Sequence, residues 1–145
     1  MTYPLHANDT GSFQELAHAS DIEFGQLSLL TVAPRRTRGG HYHTRKTEWF
    51  CCLHGKCAIV LQSPEGKQIG ALSLDDNERQ FAKVLPGEVH TVLNPHDQEC
   101  ELLVISSEEY NPEDTDTITY RKYPEECEVH GVKDCPSCST VRVAQ

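Results

Sequence analysis

The sequence predicts an all-β fold with a single core, a sandwich or a barrel. Three observations carry that expectation. The chain has 145 residues, a length that suits one hydrophobic core. From Gln26 to Ile105, short β-rich runs alternate with clusters of Gly, Pro, Asn and Asp. No part of that region repeats its apolar residues at a helical period.

Taken in order, residues 1–25 are mixed, and FQELAHA suits either a helical turn or an edge strand. Strand-like runs follow: LSLLTVA, TEWFCCL, CAIVLQ, FAKVLPG, HTVLN and CELLVIS. RRTRGG, SPEGKQ, LDDNE and NPHDQ separate them and read as turns. Many short strands with close turns imply a sandwich or barrel. From Ser106 the text turns acidic and proline-broken, which predicts a surface segment wrapping the barrel. The expected division is a barrel with wrapping segments over 1–123 and a Cys/His tail over 124–145.

Charge and cysteine usage narrow the function. With 22 acidic and 13 basic residues the formal charge is −9, which argues against general nucleic-acid binding. Five of the basic residues, Arg35, Arg36, Arg38, Arg45 and Lys46, fall close together, as a local anion site requires. No run of about 18 apolar residues is present, so no membrane span is expected. The opening MTYPLHANDTGSF lacks a basic region followed by an apolar stretch, so no secretory signal is expected. Seven cysteines without such a signal favour thiols or metal ligands over a disulfide framework, and predict a cytoplasmic protein.

Two segments carry metal chemistry. In the first, His41 and His43 stand two apart, so on a strand they share a face. Four polar residues follow, then Glu48 heads a strand on which Phe50 and Cys52 share its face. In the second, Pro86-Gly87 makes a tight turn and His90, Val92 and Asn94 share a face. A carboxylate and imidazoles on an apolar face are costly to bury unpaired, and a shared metal ion removes that cost. Three His and one carboxylate suit zinc, iron(II), nickel or manganese.

These segments, HxHxxxxE with Gly55 beyond and PGxxHxxxN ending at Asn94, resemble the two motifs of the cupin superfamily. The resemblance implies a double-stranded β-helix, the jelly-roll barrel, with His41, His43, Glu48 and His90 as metal ligands pointing inward. The glycine of the pattern six positions before His41 is replaced by Arg35. A narrower resemblance, to the C-terminal cupin domain of bifunctional capsular-polysaccharide enzymes, rests on several matches. They are Gly11-Ser12-Phe13 with Glu15, Gly25-Gln26 with Ser28, Gly39 with Lys46 and Phe50, Asn111-Pro112, and Asp116-Thr117. It implies a zinc-containing epimerase or isomerase acting at C3 of a nucleotide-linked 4-keto-6-deoxy sugar, with a dehydrogenase supplying the later reduction. No GxGxxG follows a strand in this sequence, so only the isomerising step is expected, with the dehydrogenase as a separate partner. Lys46 and Tyr42 are the candidate proton carriers and Arg36 and Arg38 the candidate diphosphate ligands. The ligands alone also permit an iron-dependent dioxygenase, and a non-catalytic sugar-binding or accessory barrel is the third reading.

The tail holds Cys127, His130, Cys135 and Cys138. Four soft ligands in a short polar span predict a second, structural zinc. On the strand after Glu48, Cys52 is expected to face inward near the metal. Trp49, Cys51 and Leu53 are expected to face outward, against a second sheet layer or the partner of a homodimer.

Overall fold

Antiparallel pairing organises the chain throughout the computed structural model, which describes residues 2–120. A hairpin of β1 (Leu5–Asn8) and β2 (Gly11–Gln14) comes first. Nine strands follow: β3 (Gln26–Val32), β4 (Thr37–Tyr42), β5 (Glu48–His54), β6 (Lys56–Gln62), β7 (Gln68–Asp75), β8 (Ala82–Val84), β9 (Val89–Leu93), β10 (Cys100–Ser106) and β11 (Ile118–Thr119). They form two sheets, in the orders β3-β10-β5-β8 and β11-β4-β9-β6-β7. The sheets face one another across a core of Val32, Phe50, Cys52, Cys57, Ile59, Leu61, Leu74, Val84, Val92, Cys100, Leu102 and Val104.

Strand position explains strand composition. β5 and β9 are central in their sheets, and Trp49–Cys52 and all of β9 are buried on both faces. They read as continuous apolar runs for that reason. β3 is an edge strand and alternates, with Leu27 and Leu29 exposed and Val32 buried. β7 is the other sheet's edge; Gln68, Gly70 and Ser73 dilute its pattern, and the sequence reading passed over it. β4 lies in a segment read largely as a turn, because its first four residues are all polar or Gly and it pairs with a two-residue β11 on one side.

FQELAHA forms no helix. Its first two residues end β2, and the rest is irregular. β1 is exposed throughout, and so is β2 apart from the half-buried Gln14. Between β5 and β6 the chain reverses at Gly55, whose φ of +84° is the left-handed conformation open to glycine at little cost. A Cβ there would also lie 3.0 Å from the Glu99 carbonyl oxygen. That is the physical demand behind the glycine that closes the first motif.

Trp49 and Cys51 do face away from the core cluster, yet they are 4% and 0% exposed, so no free stripe remains at those two residues. The Lys83 ammonium lies 5.8 Å from the Trp49 ring. No described helix is long and apolar enough to cross a membrane. Cys127, His130, Cys135 and Cys138 lie outside the described residues.

Candidate metal centre

The site begins with a β-bulge. β4 pairs β9 as Thr37↔Leu93, Arg38↔Val92 and Gly39↔Thr91, then skips a residue to His41↔His90. Gly39 and Gly40 accommodate the bulge with φ of +97° and +73°. In a regular ladder Gly40 would oppose His90. The extra residue instead turns His41 to the inner face, directly across from His90. A Cβ on Gly39 would lie 2.7 Å from the His90 carbonyl oxygen, so the close approach of the two strands requires glycine.

Three imidazoles converge at this end of the barrel. Ring centroids are 4.7 Å apart for His41–His90, 5.1 Å for His41–His43 and 5.3 Å for His43–His90. One nitrogen from each lies within 4.8 Å of the others. Glu48, the first residue of β5, points its Oε2 at the group, 3.2 Å from His43 Nε2 and 3.1 Å from His90 Nε2. His43 lies just beyond β4, in the connection to β5, rather than on a strand beside His41.

The outer nitrogens are also placed. His43 Nδ1 is 2.6 Å from the Asp116 carbonyl oxygen, and His90 Nδ1 is 3.2 Å from that of Glu88. A carbonyl only accepts, so in both rings Nδ1 carries the proton and donates it. Each Nε2 then faces Glu48, and a bare lone pair against a carboxylate is repulsive unless a proton or a cation lies between. Metal-ligating imidazoles have the same arrangement, with the outer N–H held by a carbonyl and the inner nitrogen free to ligate.

Electrostatics agree with the geometry. Burial would push the Glu48 carboxyl up, but hydrogen bonds from His43 and His90 hold it well below the usual carboxylate range. Burial alone would lower His43, yet its hydrogen bond to Glu48 wins and raises it. His41 is driven down to about 3, first by burial and then by His90 and His43, so it stays neutral with its lone pair available. Three imidazole nitrogens and one carboxylate oxygen form a donor set suited to a borderline transition ion, unlike the all-oxygen sets of magnesium or calcium.

A cavity of about 250 Å³ opens onto these residues. One side is the β3 edge, Ser28, Leu29 and Leu30; the other is β4, through Arg38, Gly39 and His41. Glu48, Phe50, His90, Val92 and Val104 complete it. The opening exists because β3 pairs only with β10, so no ladder closes the seam between β3 and β4.

The other expected residues are distributed as follows. Arg38 is on the cavity wall and has no carboxylate partner among the described residues. Arg36 is exposed, and its carbonyl accepts the Asn94 N–H at 3.0 Å. Lys46 is buried off the cavity wall; its Nζ donates to the Thr115 carbonyl at 3.1 Å and lies 5.9 Å from the Tyr110 ring centroid. Tyr42 pairs with Ile118 of β11 and does not line the cavity. The basic cluster disperses: Arg35 pairs with Asp97, and Arg45 with Glu108 and Asp114. Cys52 faces the core, but its Sγ turns toward the His54 and Gly55 carbonyls, four residues along β5 from Glu48. Sequence reasoning gave Asp116 no role. It matched the ending of a related family and lies in an acidic stretch without periodicity, and nothing in that text shows which acid turns inward.

A two-sheet jelly-roll with three histidines and a glutamate at one mouth is a cupin barrel. The chain belongs to the polysaccharide biosynthesis C-terminal domain family, whose model matches residues 6–118. It is 27% identical over 114 residues to a UDP-2-acetamido-2,6-beta-L-arabino-hexul-4-ose reductase of Pseudomonas aeruginosa, covering 79% of this chain and 30% of that one. The chain thus spans under a third of that relative's length. Its fold matches the capsular polysaccharide assembling protein CapF from Staphylococcus aureus at a TM-score of 0.59. That match has 23% identity and covers 79% of this chain and 33% of the other. NovW, a 4-keto-6-deoxy sugar epimerase from the novobiocin biosynthetic gene cluster of Streptomyces spheroides, matches at a TM-score of 0.71. There the identity is 18%, over 86% of this chain and 68% of NovW.

Proposed function

We propose that this chain is a metal-holding epimerase or isomerase of a nucleotide-linked 4-keto-6-deoxy sugar, working in the cytoplasm on surface polysaccharide or deoxysugar synthesis. One observation carries the reading: His41, Glu48 and His90 of the His41–His43–Glu48–His90 donor set line the same cavity as the carboxylate-free Arg38. The fold shared with a sugar epimerase and the sequence shared with a UDP-sugar enzyme support it.

The chemistry requires a base to take the proton beside the ketone, a way to stabilise the enolate, and an acid to return a proton to the opposite face. A divalent ion on the four ligands, zinc by preference, would polarise the C4 carbonyl as a Lewis acid. His41, with its pKa held near 3, is a weak proton acceptor and a good ligand. Lys46 and Tyr42 stay the proposed proton carriers; both lie off the cavity wall, so each has to swing in to reach substrate, the Lys46 amine leaving the Thr115 carbonyl. Arg38 is assigned to the diphosphate through paired N–H donors, with Arg36 at the rim. The later reduction falls to a separate dehydrogenase, and the barrel is expected to act as a homodimer. Cys127, His130, Cys135 and Cys138 are proposed, from spacing alone, to hold a structural zinc.

The test is incubation of the zinc-loaded protein with UDP- and dTDP-4-keto-6-deoxy sugars in heavy water. Deuterium entering at C3, abolished by Arg38→Ala, is the expected result. No exchange with any of these sugars overturns the reading. So does stoichiometric iron that is lost in His43→Ala and accompanied by oxygen uptake.

A further inference from the structure

Every residue from His43 to Lys46 hands a hydrogen-bond donor to one short stretch of chain, Thr115-Asp116. The Asp116 carboxylate accepts the backbone N–H groups of Thr44 at 2.8 Å, Arg45 at 2.9 Å and Lys46 at 3.1 Å, and also the Thr44 hydroxyl. The Asp116 carbonyl accepts His43 Nδ1–H at 2.6 Å, and the Thr115 carbonyl accepts the Lys46 ammonium. The Asp116 side chain is 1% exposed.

Two features separate this arrangement from an ordinary turn clip. Three successive backbone N–H groups wrap one carboxylate, a concave anion site filled by the chain's own side chain. Asp116 also has φ of +47°, a left-handed conformation that residues other than glycine, asparagine and aspartate rarely adopt. That conformation lets one residue aim its carboxylate at positions 44–46 and its carbonyl at the ring of 43. A clip needs only the first of these.

We propose that Asp116 is a positioning residue for the metal centre. Its carboxylate fixes the connection that carries His43, and its carbonyl holds the ring as the Nδ1–H tautomer with Nε2 aimed into the donor set. The inference rests on reading His41, His43, Glu48 and His90 as a metal site. Loss of such an outer partner typically weakens metal binding about 10–100-fold.

The test uses the full chain in a Cys135→Ser background, so that the tail ligands do not report, with zinc affinity measured by chelator competition and the cobalt(II)-loaded protein examined by visible absorption. Metal-free melting runs in parallel. Asp116→Ala is expected to bind zinc about 10–100-fold more weakly and to alter the cobalt bands. Asp116→Asn tolerates the left-handed backbone and keeps one acceptor oxygen, so it should recover part of the affinity. If either folded variant melts lower yet keeps the wild-type zinc affinity and cobalt spectrum, Asp116 is only a structural clip and the proposal falls. Should Asp116→Ala not fold, Asp116→Asn decides alone by the same criterion. His43→Ala separates the two levels: zinc affinity equal to wild type in that variant would remove the metal centre itself, and this proposal with it.

Discussion

Arg35 has φ of +60°, six residues before His41, where the cupin pattern places glycine. The backbone makes a left-handed turn there without the residue that makes it inexpensive. An L side chain there costs about 1–2 kcal/mol. The Arg35–Asp97 ion pair, with both side chains well exposed, returns at most about 1 kcal/mol. Arg35→Gly should therefore be at least as stable as wild type, while Arg35→Ala should lose about 1 kcal/mol, read from urea unfolding midpoints. Among the ligands, Glu48→Gln removes the carboxylate that His43 and His90 both face. That variant should leave gel filtration without barrel zinc, and retention of stoichiometric metal would exclude Glu48 as a ligand.

At the scale of elements, two features hold the site in register. Asn94 is wholly buried just past β9 and donates to the carbonyls of Val32 at 3.0 Å, Ala33 at 3.3 Å and Gln98 at 2.8 Å, while its Oδ1 accepts the His96 N–H at 3.1 Å. It ties the end of β3 to the β9–β10 turn. Asn94→Ala strands several buried backbone groups and should cost about 2–4 kcal/mol, shifting the urea midpoint with the slope unchanged. The Gly39-Gly40 bulge is the second feature. Gly39→Ala places a Cβ against the His90 carbonyl and forces β4 from β9, at a cost of about 1–3 kcal/mol, with zinc affinity falling alongside. A folded Gly39→Ala with full affinity would show that the bulge does not aim His41.

At the scale of the molecule, a metal that binds only the folded barrel stabilises it by mass action. At free zinc about 100 times the dissociation constant the gain is about 2.7 kcal/mol. For a chain of this length that corresponds to about 5–10 °C in melting temperature, which a chelator should reverse. Metal counting by plasma mass spectrometry tests the proposed pair of sites. Two zincs are expected per chain, one lost in His43→Ala and the other in Cys135→Ser. A single zinc that survives Cys135→Ser would remove the tail site.

How much was legible follows from which residues act through local pattern. Period-two spacing predicted His41 and His43 on one strand face, but a bulge turns His41 inward and His43 lies beyond the end of β4; the apolar runs marked most strands, and the spacing of the two motifs identified all four residues that converge. Gly55 was legible because it stands where the cupin pattern has glycine; the structure adds the reason, a φ of +84° with a carbonyl oxygen 3.0 Å from where a Cβ would sit. β7 was not, because an edge strand need not be apolar. The bulge at Gly39-Gly40 read as a turn, because two glycines announce a departure from extended chain without saying which. The sequence by itself determined an all-β fold and set three histidines, Glu48 and the arginines in two short segments, since these follow from residue type and short spacing; the jelly-roll barrel came with the resemblance to the cupin motifs. Only the tertiary structure decided that Arg38 alone of the basic cluster reaches the cavity wall, that Lys46 is held by Thr115, and that Asp116 reaches back over 70 residues to His43–Lys46. Those outcomes depend on which distant segments the two sheets bring together, and no local periodicity encodes a contact between a loop and a strap.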